Sequence, residues 1–217
     1  MKTDSQLQRD VIAELEWDPI VHHTDIGVGV VAGVVTLSGF VHSFAEKMAA
    51  EAAARRVAGV RALAEELKVR HPSDAKTADS EIARRILDLL AWDALVPSDR
   101  VTVKVEQGWV TLAGTVDWFY QKEAARHAAG KIHGVTGISN LVALRQVPTA
   151  NNVRERIEAA FKRSADIDAE SLTVLTDGGK VTLGGKVRVW REREIAERAA
   201  WAAPGVTSVE DHIIVMS

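Results

Sequence analysis

The sequence predicts an α+β protein built from three tandem modules, each with the order α-β-β-α-β and a three-stranded sheet covered by two helices on one face. A nine-residue segment that begins at Gly33 recurs at Gly108 and again at Gly179, with offsets of 75 and 71 residues. A Gly-Val pair at Gly59 and an apolar helical stripe that begins at Leu7 follow the same offsets. Because these three features share the same offsets, the repeat is very unlikely to arise by chance. The predicted modules are residues 1–72, 77–147 and 149–217.

Each module is expected to begin with an amphipathic helix and a hairpin. Apolar residues at i, i+4 and i+8 give the helix one buried face, and Asp4 or Ser5, like Asp79 or Ser80, is a candidate N-cap. The hairpin strands alternate with period two, and glycine supplies the positive φ that a tight turn needs. The predicted turns are Ala32-Gly33, Gln107-Gly108 and Gly178-Gly179.

The second half of each module is expected to be a helix and a closing strand. Gly39 lies among the apolar residues of the second hairpin strand, and its missing side chain is expected to let a helix sit close to the sheet. The second helix is rich in alanine, which suits close packing, and a glycine ends it. Short linkers that contain proline predict distinct modules rather than one merged core. The alanine-rich helices are placed at residues 45–57, 123–132 and 192–203.

Composition and motifs argue against an enzyme. A net charge of −3 over 217 residues is too small to suggest nucleic-acid binding, and a chain without cysteine has no thiolate ligand or nucleophile. Nucleophile-elbow and phosphate-loop motifs are absent, so no catalytic residue and no cofactor is expected. The seven histidines do not recur across the modules, and the adjacent His22 and His23 should diverge. We therefore expect no metal site.

The N-terminus and one uncharged segment bear on the cellular location. Residues 26–45 carry no Asp, Glu, Lys or Arg over the length of a membrane span. Their counterparts in the other modules are charged hairpins, so no transmembrane segment is expected. The first residues lack the pattern of a signal peptide. We therefore expect a cytoplasmic protein, or a periplasmic one if the chain is a mature form.

Module 3 carries the clearest candidate surface site. Its second hairpin strand points a polar row away from the helices, and basic residues continue into the next helix beside Trp190. Cations near an indole suit an anionic lipid headgroup layer. The plainer alternatives are a solvated basic face and, because Trp190 aligns with Phe44 and Phe119, a packing aromatic at the start of the helix. The candidate anionic-surface contacts are Lys180, Lys186, Arg188, Arg191 and Arg193.

Apolar side chains form a second set of candidates. Trp17 and Trp92 are equivalent residues at the end of the first helix, and they either cover the local core or form an interface shared by modules 1 and 2. The open sheet face of module 1 lacks every charge that its counterparts carry on the hairpin strands, so we expect it to be buried against another module or another chain. A face that is simply open to water is the alternative. The candidate packing or partner residues are Val31, Val34, Phe40 and Trp109, and Trp109 is the expected exposed indole.

The pattern Gly-x-Val-x-Leu-x-Gly-x-Val, followed by a helix, a Gly-Val pair and a closing strand, resembles the BON-domain family of bacterial osmotic-stress and nodulation proteins. The resemblance covers nearly the whole chain in three units. It implies non-enzymatic modules that associate with phospholipid surfaces. The family also includes a cytoplasmic relative that binds potassium.

Three hypotheses of function follow. The leading one is a stress-response binding protein whose modules dock on anionic phospholipid or on a protein partner. The second is a cytoplasmic sensor of potassium ion, which backbone carbonyls could coordinate. The third is a structural homo-oligomer with no small ligand.

Overall fold

The computed structural model describes residues 2–70, 77–146 and 152–216. Each module has the predicted order, with a one-turn 3-10 helix before the hairpin. Module 1 contains α1 (Asp4–Trp17), β1 (Ile26–Val31), β2 (Val34–Val41), α2 (Phe44–Arg56) and β3 (Ala62–Val69). Module 2 contains α3 (Asp79–Trp92), β4 (Val101–Glu106), β5 (Trp109–Val116), α4 (Phe119–Gly130), β6 (Gly137–Asn140) and β7 (Ala143–Leu144). Module 3 contains α5 (Val153–Arg163), β8 (Leu172–Asp177), β9 (Lys180–Val187), α6 (Trp190–Trp201) and β10 (Ser208–Val215).

The second hairpin strand is the centre of each sheet. β2 pairs antiparallel with β1 and parallel with β3, and β9 has the same relation to β8 and β10. In module 2, β5 pairs antiparallel with β4 and parallel with the two short strands β6 and β7, which together replace one closing strand. The helix after the second strand therefore leads to a third strand that pairs with the second. The sequence alone did not determine this strand order.

The core of each module lies between its two helices and one face of its sheet. The predicted stripe on α1 is buried, and so are the inward residues of β2. These buried residues are Leu7, Val11, Leu15, Val35, Leu37 and Val41. Equivalent clusters fill modules 2 and 3. The predicted α+β class is confirmed.

Gly39 has a different role from the predicted one. Its φ is +115°, and a Cβ atom at this position would overlap the backbone oxygen of Asp25 in the turn before β1. The equivalent Gly114 and Gly185 also have positive φ and meet the backbone of the same turn in their modules. The missing side chain therefore admits neighbouring backbone, not a helix.

The predicted N-cap aspartates act on the hairpin instead of on their own helices. Thr3 is the N-cap of α1, and Asp4 lies inside the helix. The Asp4 carboxylate accepts the two N–H groups of the Ala32-Gly33 turn at 2.8 and 3.1 Å. Asp79 does the same for the Gln107-Gly108 turn at 2.7 and 2.9 Å. Each first helix is thereby fastened to the hairpin that follows it.

The modules touch one another, although each keeps its own apolar cluster. Phe44 of module 1 belongs to the apolar cluster of module 2, Phe119 of module 2 stacks on Trp201 of module 3, and Trp190 of module 3 packs against the cluster of module 1. Three cores persist, but the first residue of each second helix reaches into a neighbour. Pro72 and Pro148 of the predicted linkers lie outside the described residues.

The second helices α4 and α6 begin earlier than predicted, at Phe119 and Trp190. Within the described ranges, no helix is long and apolar enough to cross a membrane. The uncharged residues 26–45 form the hairpin of module 1 and the first residues of α2.

Candidate functional site

Trp17 and Trp92 are exposed, so the interpretation of these residues as lids over the local core is wrong. Their exposed fractions are 82% and 89%, the highest of the large apolar side chains in the described ranges. Each follows a buried leucine, Leu15 or Leu90, by two residues. Two residues correspond to about 200° of rotation around a helix, so the indole points away from the core.

A matched turn follows each exposed indole. Oδ1 of Asp18 accepts the N–H of Ile20 at 3.1 Å, and Oδ1 of Asp93 accepts the N–H of Leu95 at 2.9 Å. The turns leave Ile20 and Leu95 more than half exposed. Modules 1 and 2 therefore each present an exposed indole and, three residues later, an exposed large aliphatic side chain. We call residues 17–20 and 92–95 the tryptophan tips.

Module 3 forms the same turn with charged residues. Oγ of Ser164 accepts the N–H of Asp166 at 3.3 Å, and Arg163 stands where the other modules have tryptophan. Further back on the first helix, Ile12 and Leu87 are also exposed, whereas module 3 has a glutamate there. The apolar tip is thus a shared feature of modules 1 and 2.

Most of the basic residues predicted to contact an anionic surface are paired with carboxylates. The ion pairs are Lys180–Glu210 at 2.6 Å, Arg193–Asp211 at 2.7 Å, Arg188–Glu192 at 3.3 Å and Arg191–Asp166 at 3.8 Å. The hydrogen bond from Lys180 holds the pKa of Glu210 below its ordinary value. Lys186 has no carboxylate within 4.0 Å in the part of the chain that the structure describes. We call these five cations the basic row.

Trp190 does not stand beside an open basic surface. It is half-buried against the core of module 1, and its ring lies 5.7 Å from the guanidinium carbon of Arg55 and 5.1 Å from that of Arg193. Its alignment with Phe44 and Phe119 reflects a shared packing role.

In the ranges that the structure describes, no other module covers the open sheet face of module 1. Val31 is 75% exposed, and Val34 and Phe40 are about 40% exposed. Val34 pairs with Val31 on one side and with Ala62 on the other, which makes one end of the face apolar. The Arg70 guanidinium lies 3.8 Å from the ring centre of Phe40. The expected contact with another module is wrong, because the modules meet through the helices on the opposite side of the sheet. A contact with another chain stays a prediction.

Trp109 lies on the open sheet face of module 2, as expected. Its ring is half exposed and lies across Gly137 of the neighbouring strand. Its Nε1 donates to Oγ of Ser139 at 3.0 Å. The indole is therefore anchored along the sheet rather than projecting from it.

The structure brings together three side chains that the sequence did not single out as a group. His22 precedes the hairpin of module 1, His42 follows it, and Glu46 lies in the first turn of α2. Their possible ligand atoms all lie within 4.8 Å of one another. The two histidines are far apart in sequence, and only the strand register, which brings the end of β2 next to the start of β1, could have indicated their proximity. We call these three residues the histidine cluster.

Glu46 is the buried centre of the histidine cluster, with an exposed fraction of 2%. Its two carboxylate oxygens accept the backbone N–H groups of His22 and His42, each at 2.7 Å. Burial raises the pKa of Glu46, but these bonds and a hydrogen bond from the His22 ring outweigh burial and hold the pKa below its ordinary value. An ionised carboxylate therefore faces both imidazoles.

Comparison with known proteins gives three findings. The family model described as "BON domain" matches residues 3–71, 78–146 and 149–217. Osmotically-inducible protein Y of Escherichia coli (strain K12) is 35% identical over 141 residues, which cover 63% of this chain and 70% of that protein. Two solved structures of CdsD, described as a structural protein of the type III secretion system of Chlamydia trachomatis, align with 96% and 100% of this chain. The two alignments span 91% and 100% of the solved chains, at 13% sequence identity. The TM-score is 0.27 in both cases, which is too low to indicate a shared arrangement.

Proposed function

Because the chain belongs to the BON-domain family, we propose that it is a non-enzymatic binding protein of the osmotic-stress response that docks on phospholipid surfaces through its tryptophan tips. The link to osmotic stress is supported by the similarity to the osmotically inducible protein of Escherichia coli. The docking is supported by one observation, the matched and exposed pairs of Trp17 with Ile20 and Trp92 with Leu95.

The chemistry of the tips suits the boundary between lipid and water. Indole rings favour the headgroup level of a bilayer, where the ring body is apolar and the N–H group stays hydrated. Docking transfers an exposed indole and an exposed aliphatic side chain at each tip out of water, and binding strengthens with the apolar area buried.

The basic row adds a smaller, electrostatic contribution. A cation near an anionic membrane surface contributes about 1 kcal/mol, but four of the five cations in the row already have carboxylate partners. Among the described residues, Lys186 is the member of the row that has no carboxylate partner. We therefore expect docking to persist at salt concentrations that screen a purely electrostatic contact.

Vesicle flotation with anionic and with neutral phospholipid tests the proposal. The double variant W17A/W92A is expected to lose at least about tenfold in vesicle partitioning, which corresponds to about 1.4 kcal/mol. W109A is the matched control, since it removes an exposed indole outside the tips, and it should float like the wild type. The triple variant K180E/K186E/R188E should weaken binding to anionic vesicles, and mainly at low salt.

Two results would contradict the proposal. A wild-type protein that floats with neither kind of vesicle would exclude phospholipid docking. Full flotation of W17A/W92A would exclude the tryptophan tips as the docking element and leave the basic row to carry the contact.

A further inference from the structure

We propose that the histidine cluster of module 1 binds one divalent transition-metal ion, and that Zn²⁺ is the ion that its donors fit. Two imidazole nitrogens and one carboxylate oxygen form a donor set that zinc accepts, with water in the remaining position. Hard cations such as Mg²⁺ prefer oxygen ligands. These three side chains lie outside the tryptophan tips and the basic row.

The separations between the donor atoms suit a small ion. Nδ1 of His22 lies 3.1 Å from Oε1 of Glu46, and Nδ1 of His42 lies 3.5 Å from Oε2. Zinc bonds of about 2.0–2.2 Å at tetrahedral angles place neighbouring ligand atoms about 3.3 Å apart. The two imidazole rings meet edge to face, with centroids 4.8 Å apart, so they do not stack on each other.

Glu46 is held in place without any ion. Each of its oxygens accepts one backbone N–H group, and a carboxylate oxygen has a further lone pair to offer. The site therefore has a fixed negative charge, and the conformational cost of ordering this ligand has already been met by folding.

His42 provides a second, independent observation. Its Nδ1 atom is buried and makes no hydrogen bond. A buried polar atom without a partner is uncommon in folded proteins, and an ion is one of the groups that can satisfy it. This nitrogen faces Oε2 of Glu46 at 3.5 Å. An ion between the two atoms would satisfy both.

Comparison with modules 2 and 3 distinguishes the histidine cluster from ordinary helix capping. In module 3, Glu192 takes the position of Glu46 and accepts the backbone N–H of Arg188 at 2.6 Å, and the Arg188 side chain supplies the cation at 3.3 Å. In module 2 the equivalent residue is the uncharged Gln121, which accepts the backbone N–H of Trp118 at 3.0 Å. Capping thus needs only the glutamate or glutamine, and the two histidines are additions of module 1.

A bound ion would connect the turn before β1 to the first turn of α2. The side chains of His22 and His42 are 65% and 40% exposed, so an ion can reach the site from solvent and keep a water ligand. Since the ion binds the folded module, it should stabilise module 1 in proportion to its occupancy.

Zinc titration of the full chain, without a histidine tag and after treatment with a chelator, tests the proposal. Calorimetry should give one equivalent of Zn²⁺ for the wild type. H22A and H42A should each weaken zinc binding at least about tenfold, since the loss of even an outer partner of a metal ligand costs about 10–100-fold. H23A is the matched control, because it removes an adjacent histidine that is outside the cluster, and it should bind zinc like the wild type.

Melting curves give a second readout. Saturating Zn²⁺ should raise the Tm of the wild type and H23A but not that of H42A, and Mg²⁺ should raise none of them. The Tm without metal shows whether each variant is folded, and the exposed position of His22 makes H22A the safer variant. Zinc binding that is unchanged in both H22A and H42A, or a wild type that binds no single equivalent of zinc, would overturn the proposal.

Discussion

The rings of Phe119 and Trp201 are stacked, with centroids 4.1 Å apart and planes 7° from parallel. Phe119 is the first residue of α4, and Trp201 is the last residue of α6. The contact therefore joins the start of one second helix to the end of another, and it links modules 2 and 3.

The same two positions also form contacts between the other two pairs of modules. Phe44, the equivalent of Phe119, faces Gly130, where a Cβ atom would lie 3.2 Å from its ring. Trp190 faces Arg55, with 5.7 Å between the guanidinium carbon and the ring centre. Each module thus contacts the next through equivalent residues, and the third returns to the first. These contacts join the three modules into a closed ring.

The ring closure predicts that Phe119→Ala destabilises the protein by about 1–2 kcal/mol, from lost stacking of about 0.5–1.5 kcal/mol and lost apolar contact. Urea denaturation followed by tryptophan fluorescence measures the loss. Tyr120→Ala is the control, because Tyr120 is the exposed neighbour on the same helix turn, and it should change the free energy of unfolding little. Equal effects of the two substitutions would mean that the stacked pair does not hold modules 2 and 3 together.

A second prediction concerns the close backbone approach at Gly39. Gly39→Ala should lower the free energy of unfolding by more than about 2 kcal/mol. The alanine would have a strained, positive φ, and its Cβ atom would overlap the backbone of Asp25. Gly29→Ala is the matched control in the same sheet, since the nearest atom to its added Cβ is 3.9 Å away. A small effect or slight stabilisation is expected there. Thermal melts of the two variants distinguish the sites, and similar melting temperatures would refute the assigned role of Gly39.

A third prediction distinguishes the two roles considered for Asp79. As a helix N-cap, Asp79 could be replaced by Asn at little cost. In the structure, however, its two carboxylate oxygens accept the N–H groups of Gln107 and Gly108 separately, and an amide offers only one oxygen. Asp79→Asn should therefore destabilise the protein by about 1 kcal/mol, whereas Ser80→Ala on the same turn should not. A denaturation midpoint unchanged by Asp79→Asn would restore the capping interpretation.

Local patterns account for what the sequence could predict. The inward residues of β2 follow from a period of two residues, and the buried stripe on α1 follows from a period of 3.6 residues. Both can be predicted without knowledge of any tertiary contact. The same arithmetic, applied to the two-residue step from Leu15 to Trp17, would have predicted the exposed indole. The histidine cluster and the contact between Phe119 and Trp201 depend on the strand register and on packing between modules. Alignment of repeats identifies equivalent positions, but it does not say which equivalent position touches which.

The last prediction concerns the open sheet face of module 1, whose hairpin strands carry no charge and where Val31 is three-quarters exposed. Val34 lies beside Val31, and Phe40 is exposed at the far end of β2, next to Lys68. Exposed apolar patches usually mark contacts. Since the other modules pack on the helical side, we expect a second copy of the chain to cover it. Phe40→Glu should then weaken self-association at least about tenfold, because it places a charge in the contact, whereas Thr115→Glu, the equivalent change in module 2, should not. Light scattering over a range of protein concentrations measures this difference. The prediction is wrong if the wild-type chain is monomeric at every concentration or if the two variants behave alike. The face would then be open to water, and within the described chain the Phe40 ring would be covered on this side by Arg70.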